Sequence, residues 1–221
     1  MRKSNVITES KAGTRLPDGF GRYDVYAVAG SSYCYPDSSV LRNHFGIKNS
    51  EQLRTIEADI SSARQIELIE RSITGRFTSN HLCQIHRHLL GDIYPFAGNF
   101  RHEDIAKGTT RFLAHNEIQT KLKALLNQLH SERLLRGFEL DSLINRSAYY
   151  MAELNYIHPF REGNGRAIRE FMRQLFLYNG YHVNWDAVPV DVLLQAMVDS
   201  VFETEPLEQV LEQCIEDMDT E

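Results

Sequence analysis

Apolar residues recur along most of this chain at the three- and four-residue spacing of an amphipathic helix. From Asn49 onward, Leu53, Ile56, Ile60, Ala63, Leu68 and Ile69 keep that spacing, with charged residues between them. Leu82, Ile85, Leu89 and Leu90 mark a second helix. Thr78 or Ser79 caps its start, and Asp92-Ile93-Tyr94-Pro95 ends it, because proline disfavours helix at the residue before it. Ile118, Leu122, Leu125, Leu126 and Leu129 predict a third helix, which stops at Gly137. Leu143, Ala148, Met151, Leu154 and Tyr156 predict a fourth, which runs into a glycine-containing turn. Beyond the turn, Ile168, Phe171, Met172, Leu175 and Phe176 continue as a helix to Asn179-Gly180. Val192, Leu193, Met197 and Val198, then Val210, Leu211 and Ile215, form the last helical region. Ahead of all these, Tyr33 to Asp37 open a helix-forming stretch with Leu41, Phe45 and Ile47 facing inward.

One segment breaks the helical period. Between Phe96 and His115, the stretch Phe96-Ala97-Gly98-Asn99-Phe100-Arg101 leads to Ile105-Ala106-Lys107-Gly108-Thr109-Thr110-Arg111-Phe112, and two short extended runs with a glycine between them read as a β-hairpin or flap. The first residues are rich in Gly, Ser, Thr and Lys and carry the turn signal Pro17-Asp18-Gly19. The expected organisation is a loosely ordered arm over 1–32, one domain over 33–215 and a frayed acidic tail over 216–221. The expected fold class is all-α, a helical bundle with one small β-hairpin.

Composition narrows the function classes. With 221 residues the chain can bury one good core. A formal net charge of −6 argues against a broad nucleic-acid footprint, which needs a basic surface. No run approaches the roughly 18 apolar residues of a membrane span, and no apolar stretch behind Met1 suggests a signal peptide. Three widely spaced cysteines suggest neither a disulfide framework nor a zinc site. His81, His86 and His88 read as positions on a surface helix rather than as metal ligands.

The densest chemistry is the run His158-Pro159-Phe160-Arg161-Glu162-Gly163-Asn164-Gly165-Arg166, followed by Arg169. The run lies between two predicted helices, so Gly163, Asn164 and Gly165 sit just before a helix N-terminus. Backbone N–H groups there point outward at the positive end of the helix dipole and suit an anion. Glycine lets the backbone approach that anion closely. Arg166 and Arg169 are three apart, on one helix face, where both would reach a polyphosphate tail. Glu162 would face the phosphates with like charge unless a divalent cation bridged them, and Mg²⁺ favours such mixed carboxylate–phosphate ligation. His158 stands where it would take a proton from an attacking hydroxyl. Phe160, the one apolar member apart from the proline, would anchor the loop in the core.

Residues 158–169 resemble the Fic domain family. They match every specified position of its pattern, His-x-Phe-x-(Asp/Glu)-Gly-Asn-Gly-Arg-x-x-Arg. Gly98-Asn99-Phe100-Arg101 and the run to Phe112 also look like the family's flap. The resemblance covers roughly residues 33–215 and implies a Fic-type helical bundle. It implies a protein adenylyltransferase that moves AMP from ATP to a Ser, Thr or Tyr hydroxyl of a target protein. On that reading His158 is the base and Glu162 holds Mg²⁺. Gly163, Asn164 and Gly165 form the anion hole, while Arg166 and Arg169 bind the β- and γ-phosphates. Ile105, Ala106, Lys107 and Gly108 of the flap clamp the target and touch the nucleotide. Other Fic chemistry, with a different donor or removal of AMP, stays open, as does a non-catalytic scaffold that docks a partner by its flap. Gly165 favours ATP as the donor.

Many Fic proteins carry an inhibitory helix of pattern (Ser/Thr)-x-x-x-Glu-(Gly/Asn). Nothing outside the motif fits it, apart from Thr14 to Gly19, which has Asp for Glu and an internal proline. The resemblance is therefore to the class restrained by a separate antitoxin. It implies a toxin in the bacterial cytoplasm, or an effector secreted into a host cell.

Overall fold

The computed structural model describes residues 30–107 and 110–217. Among these residues, seven α-helices carry the fold: α1 (Ser50–Glu70), α2 (Ser79–Leu90), α3 (Ile118–Ser131), α4 (Leu140–Ile157), α5 (Asn164–Tyr178), α6 (Val190–Asp199) and α7 (Glu205–Cys214). The helical periodicity of the sequence is thus realised, and the class is all-α with minor β structure. Asn49 and Thr78 cap α1 and α2, each side chain accepting an N–H of the first turn.

α5 is the central element. It packs most extensively against α2, with α4 also in contact. Phe171, Met172, Leu175 and Phe176 are completely buried there, as are Ile85 and Leu90 of α2 and Leu154 of α4. α3 packs along α4, and α6 and α7 close the far side.

The flap is present as β1 (Ala106–Lys107) and β2 (Thr110–Arg111), antiparallel, with Ala106 opposite Arg111 and Lys107 opposite Thr110. A second antiparallel pair was not foreseen: β3 (Tyr181–Val183) pairs with β4 (Ile215–Asp217). Glu216 and Asp217, expected to fray with the acidic tail, instead take ladder positions opposite His182 and Tyr181. Three-residue strands carry too little periodicity to be seen in a sequence. Residues 218–221 and most of the expected arm, 1–29, lie outside the described residues. Ser31 and Ser32, at the end of that arm, hydrogen-bond the Glu103 carboxylate.

Three local expectations are corrected. Residues 33–47 form turns and a Cys34–Leu41 bridge rather than a helix, and Phe45 is exposed. Pro36 disfavours helix at the residue before it, and Asp37 takes the left-handed conformation at φ +55°. On α1, Ile66 and Ile69 point to solvent, while Glu57 and Ser61 are buried. That inversion is explained by the ion pairing described below. α2 is no surface helix: His81 and His86 are buried at 2% and 0% exposure.

Candidate active site

The site forms where α4 ends, the motif turns and α5 begins. His158 is the C-cap of α4, in the left-handed conformation at φ +46°. Its own N–H still bonds the Leu154 carbonyl, and Pro159 prevents further helix. The ring Nδ1 lies 3.0 Å from the Asn155 carbonyl. A carbonyl only accepts, so Nδ1 carries the proton and the lone pair of the neutral ring is on Nε2. The Phe112 ring of the flap segment stacks on His158 at 3.8 Å. Burial, foremost, holds the His158 pKa down to about 3, with Arg101 and Lys107 adding repulsion. The ring is therefore neutral at physiological pH.

Arg101 ties this corner together. It is almost fully buried, and its Nε donates to the His158 carbonyl at 2.9 Å. The same guanidinium reaches the carbonyls of Ile157, Leu113 and Glu103. These include the orphan acceptors of the α4 C-terminus, where a cation also meets the negative end of the helix dipole. The Arg101 N–H bonds Pro159 O, and Leu113 N–H bonds Tyr156 O. The foot of the flap and His158 thus share one scaffold. At the flap's foot, Asp104 before β1 accepts both the backbone N–H and Nδ1 of His115 after β2.

The motif turn is braced from within. Asn164 is buried and bonds Phe160 twice, its Oδ1 accepting Phe160 N–H and its Nδ2 donating to Phe160 O, each at 2.8 Å. Phe160 is completely buried, as expected of an anchor. Gly163, the N-cap of α5, has φ +77°, and a Cβ there would lie 2.1 Å from Leu90 Cδ1. Only glycine fits both the conformation and the space. The first N–H groups of α5 have no carbonyl one turn back, so this end of the helix suits an anion. Glu162 Oε1 accepts Gly163 N–H at 2.8 Å, which puts its carboxylate at the mouth of that site.

The two arginines do not act alike. Arg166 turns to α1, pairing with the buried Glu57 carboxylate and donating to Ser61 Oγ at 2.9 Å. Glu57 also accepts the Tyr94 hydroxyl. A second carboxylate, Glu162, lies 3.8 Å from the Arg166 guanidinium. Arg169 makes no hydrogen bond or ion pair among the described residues. Burial, then the nearby Arg166, lowers its pKa to about 10, so it remains a cation at neutral pH. Beside it opens a pocket of about 180 Å³, lined by Gln65 and Ile69 of α1, Arg173 and Leu177 of α5, and Trp185.

Among the predicted site residues, His158, Glu162, Gly163, Asn164, Gly165, Arg166 and Arg169 converge on this turn. Ile105, Ala106 and Lys107 lie in and beside β1, with Ile105 buried and the other two half-buried. Gly108 lies outside the described residues. No cluster of three or more His, Cys, Asp or Glu among the described residues would hold a metal by itself. A single carboxylate such as Glu162 fits Mg²⁺ only if phosphate oxygens and water complete the shell. Arg101, Glu57 and His86 were not legible as site residues. Glu57 and His86 are polar positions on predicted helices and Arg101 belongs to the stretch that resembles the flap, and only their burial reveals them.

The profile of the Fic/DOC family matches residues 76–176. Among relatives, "Protein adenylyltransferase VbhT" of Bartonella schoenbuchensis is 38% identical over 177 residues. That match takes in 80% of this chain but 37% of the relative. "Probable protein adenylyltransferase Fic" of Salmonella typhimurium is 36% identical, over 78% of this chain and 86% of the relative. The chain belongs to the Fic/DOC family. Its fold is that of the N-terminal Fic domain of a VirB-translocated Bep effector protein from Bartonella quintana, crystallised with ADP. The two superpose with a TM-score of 0.78 at 24% identity, over 85% of this chain and 95% of that one. Fic membership accounts for both the all-α frame and the relatives' shared designation as protein adenylyltransferases.

Proposed function

We propose that this chain transfers AMP from ATP to a Ser, Thr or Tyr hydroxyl of a target protein. The observation that carries the reading is one juxtaposition. A neutral histidine with its lone pair on Nε2 adjoins a helix N-terminus flanked by Glu162, Arg166 and Arg169.

His158 takes the hydroxyl proton at Nε2 as the target oxygen attacks the α-phosphorus. The α–β bridging P–O bond breaks and pyrophosphate leaves. Before nucleotide binds, a pKa of about 3 makes His158 a weak base. Polyphosphate charge beside the ring raises its proton affinity toward the working range. The N–H groups of Asn164 and Gly165 donate to the phosphate oxygens, and that of Gly163 joins them once the Glu162 carboxylate, which accepts it in the nucleotide-free site, turns away. Arg166, preset by Glu57 and Ser61, offers a fixed charge, and Arg169 receives the γ-phosphate. Glu162 would hold Mg²⁺ together with the α- and β-phosphates, and the ion would add neutralisation of the charge developing on the leaving group. Target segments pair with the flap by strand addition.

Regulation falls on Arg169. A small separate antitoxin placing a glutamate on this arginine would exclude the γ-phosphate. Ile69, exposed on α1 at the rim of the adjoining pocket, offers apolar support for such a helix. The protein then acts as a toxin in a bacterial cytoplasm, or as an effector secreted into a host cell.

Incubation with α-labelled ATP and a lysate tests the reading. Labelled protein bands that vanish with His158→Ala are expected. Labelling that persists in that variant, or its absence in the unaltered chain at every lysate tried, overturns it.

A further inference from the structure

The geometry points to His86 as a positioning residue of the catalytic loop, acting through the Glu162 carbonyl; this rests on the function proposed above.

His86 belongs to α2, yet it makes its polar contacts with two other segments. Nε2 lies 2.7 Å from the Glu162 carbonyl oxygen. Nδ1 lies 2.8 Å from the Gly98 N–H. A carbonyl must accept and a backbone N–H must donate, so one tautomer is imposed: Nε2 protonated, Nδ1 bare. The ring stacks on Phe160 at 3.8 Å and 18°. It is completely buried, and a Cβ on Gly163 would lie 3.5 Å from Nε2. A single ring therefore links α2, the turn ahead of the flap and the motif loop.

The Glu162 carbonyl belongs to the same peptide unit as the Gly163 N–H. Peptide planarity fixes one group when the other is held. Pinning that oxygen on His86 sets the direction of the Gly163 N–H and the entry of the chain into α5. It thereby orients the amides that would meet phosphate. The Gly98 bond ties the same ring to the segment leading to Arg101, which holds the carbonyl of His158. Base and anion site thus take their relative placement partly from one side chain. A second proton on the ring would set Nδ1–H against Gly98 N–H, consistent with a pKa pushed down to about 4, mostly by burial.

Two near-isosteric variants separate the bonds. In His86→Gln the side-chain amide N–H reaches the Nε2 position and keeps the donor to Glu162. In His86→Asn the amide oxygen takes the Nδ1 position and keeps only the acceptor for Gly98. Amide ¹H–¹⁵N resonances of Gly163 and Gly165 are recorded without nucleotide, and kcat and KM for ATP are measured at a temperature where each variant is folded. His86→Gln should keep both resonances near their original positions and lose only a few-fold in kcat. His86→Asn should move both resonances and lower kcat about 10- to 100-fold, the scale of a misplaced catalytic geometry, with a smaller change in KM. Equal behaviour of the two variants, or unmoved glycine resonances in His86→Asn, overturns the proposal. The resonances decide it even if the unaltered protein shows no transfer, a result that would count against the proposed function alone.

Discussion

Lowering the pH from 7.5 to 5.0 should destabilise this protein through two buried histidines. Both are neutral when folded, His86 with a pKa of about 4 and His158 with a pKa of about 3, against an ordinary 6.5. The unfolded chain therefore binds more protons than the folded one throughout the interval below pH 6.5, and stability falls as pH falls. Per group the loss grows by about 1.4 kcal/mol per pH unit until the folded pKa is reached. At pH 5.0 each histidine has forfeited about 2 kcal/mol, so the pair accounts for about 4 kcal/mol. His81, whose pKa is also lowered by burial, adds in the same direction. Carboxylates held low by their partners, such as Glu132 beside Arg146, lose their contribution only below their ordinary range and stay outside this window. For a chain of this size, about 4 kcal/mol corresponds to a Tm lower by about 8–16 °C. Urea unfolding followed by circular dichroism at both pH values measures the difference directly. His86→Gln and His158→Ala should each remove about half of it. A wild-type difference below about 1 kcal/mol, or one that both variants retain in full, would refute the assignment of buried neutral histidines.

Three further outcomes follow from the same geometry. Gly163→Ala places a Cβ against Leu90 in a left-handed backbone; calorimetry should show a loss of about 2–4 kcal/mol, with weaker ATP binding by titration. Glu57→Ala strips Arg166 of its buried partner and should cost about 3–5 kcal/mol in urea unfolding; a loss under about 1 kcal/mol would mean the pair is not formed. Arg169→Ala should weaken ATP binding about 10- to 100-fold, the scale of a lost charge-assisted contact, while leaving AMP binding nearly unchanged, as equilibrium dialysis with the two nucleotides would show.

Local pattern carried much of this protein. Periodic apolar residues place α2 to α5 close to their observed spans, because burial of one helix face needs the same three- and four-residue spacing wherever the helix docks. The motif from His158 to Arg169 is contiguous, so its chemistry is legible without coordinates: a helix end, a glycine turn and a helix start suit an anion in any fold. The three-residue strands β3 and β4 were invisible, since their pairing joins residues more than thirty positions apart.

The sequence by itself determined the all-α class, the motif and its kinship with Fic domains. Only the tertiary structure decided which polar residues are internal. Glu57 and Ser61 lie on the inward face of α1 because Arg166 meets them there, while Ile66 and Ile69 are left outside. His86 looks like any polar position of a helix until packing sets Glu162 and Gly98 against its two nitrogens. The reason is physical. Apolar burial has no required partner and leaves a periodic trace in the chain, whereas a buried polar group is stable only when a distant segment supplies its complement.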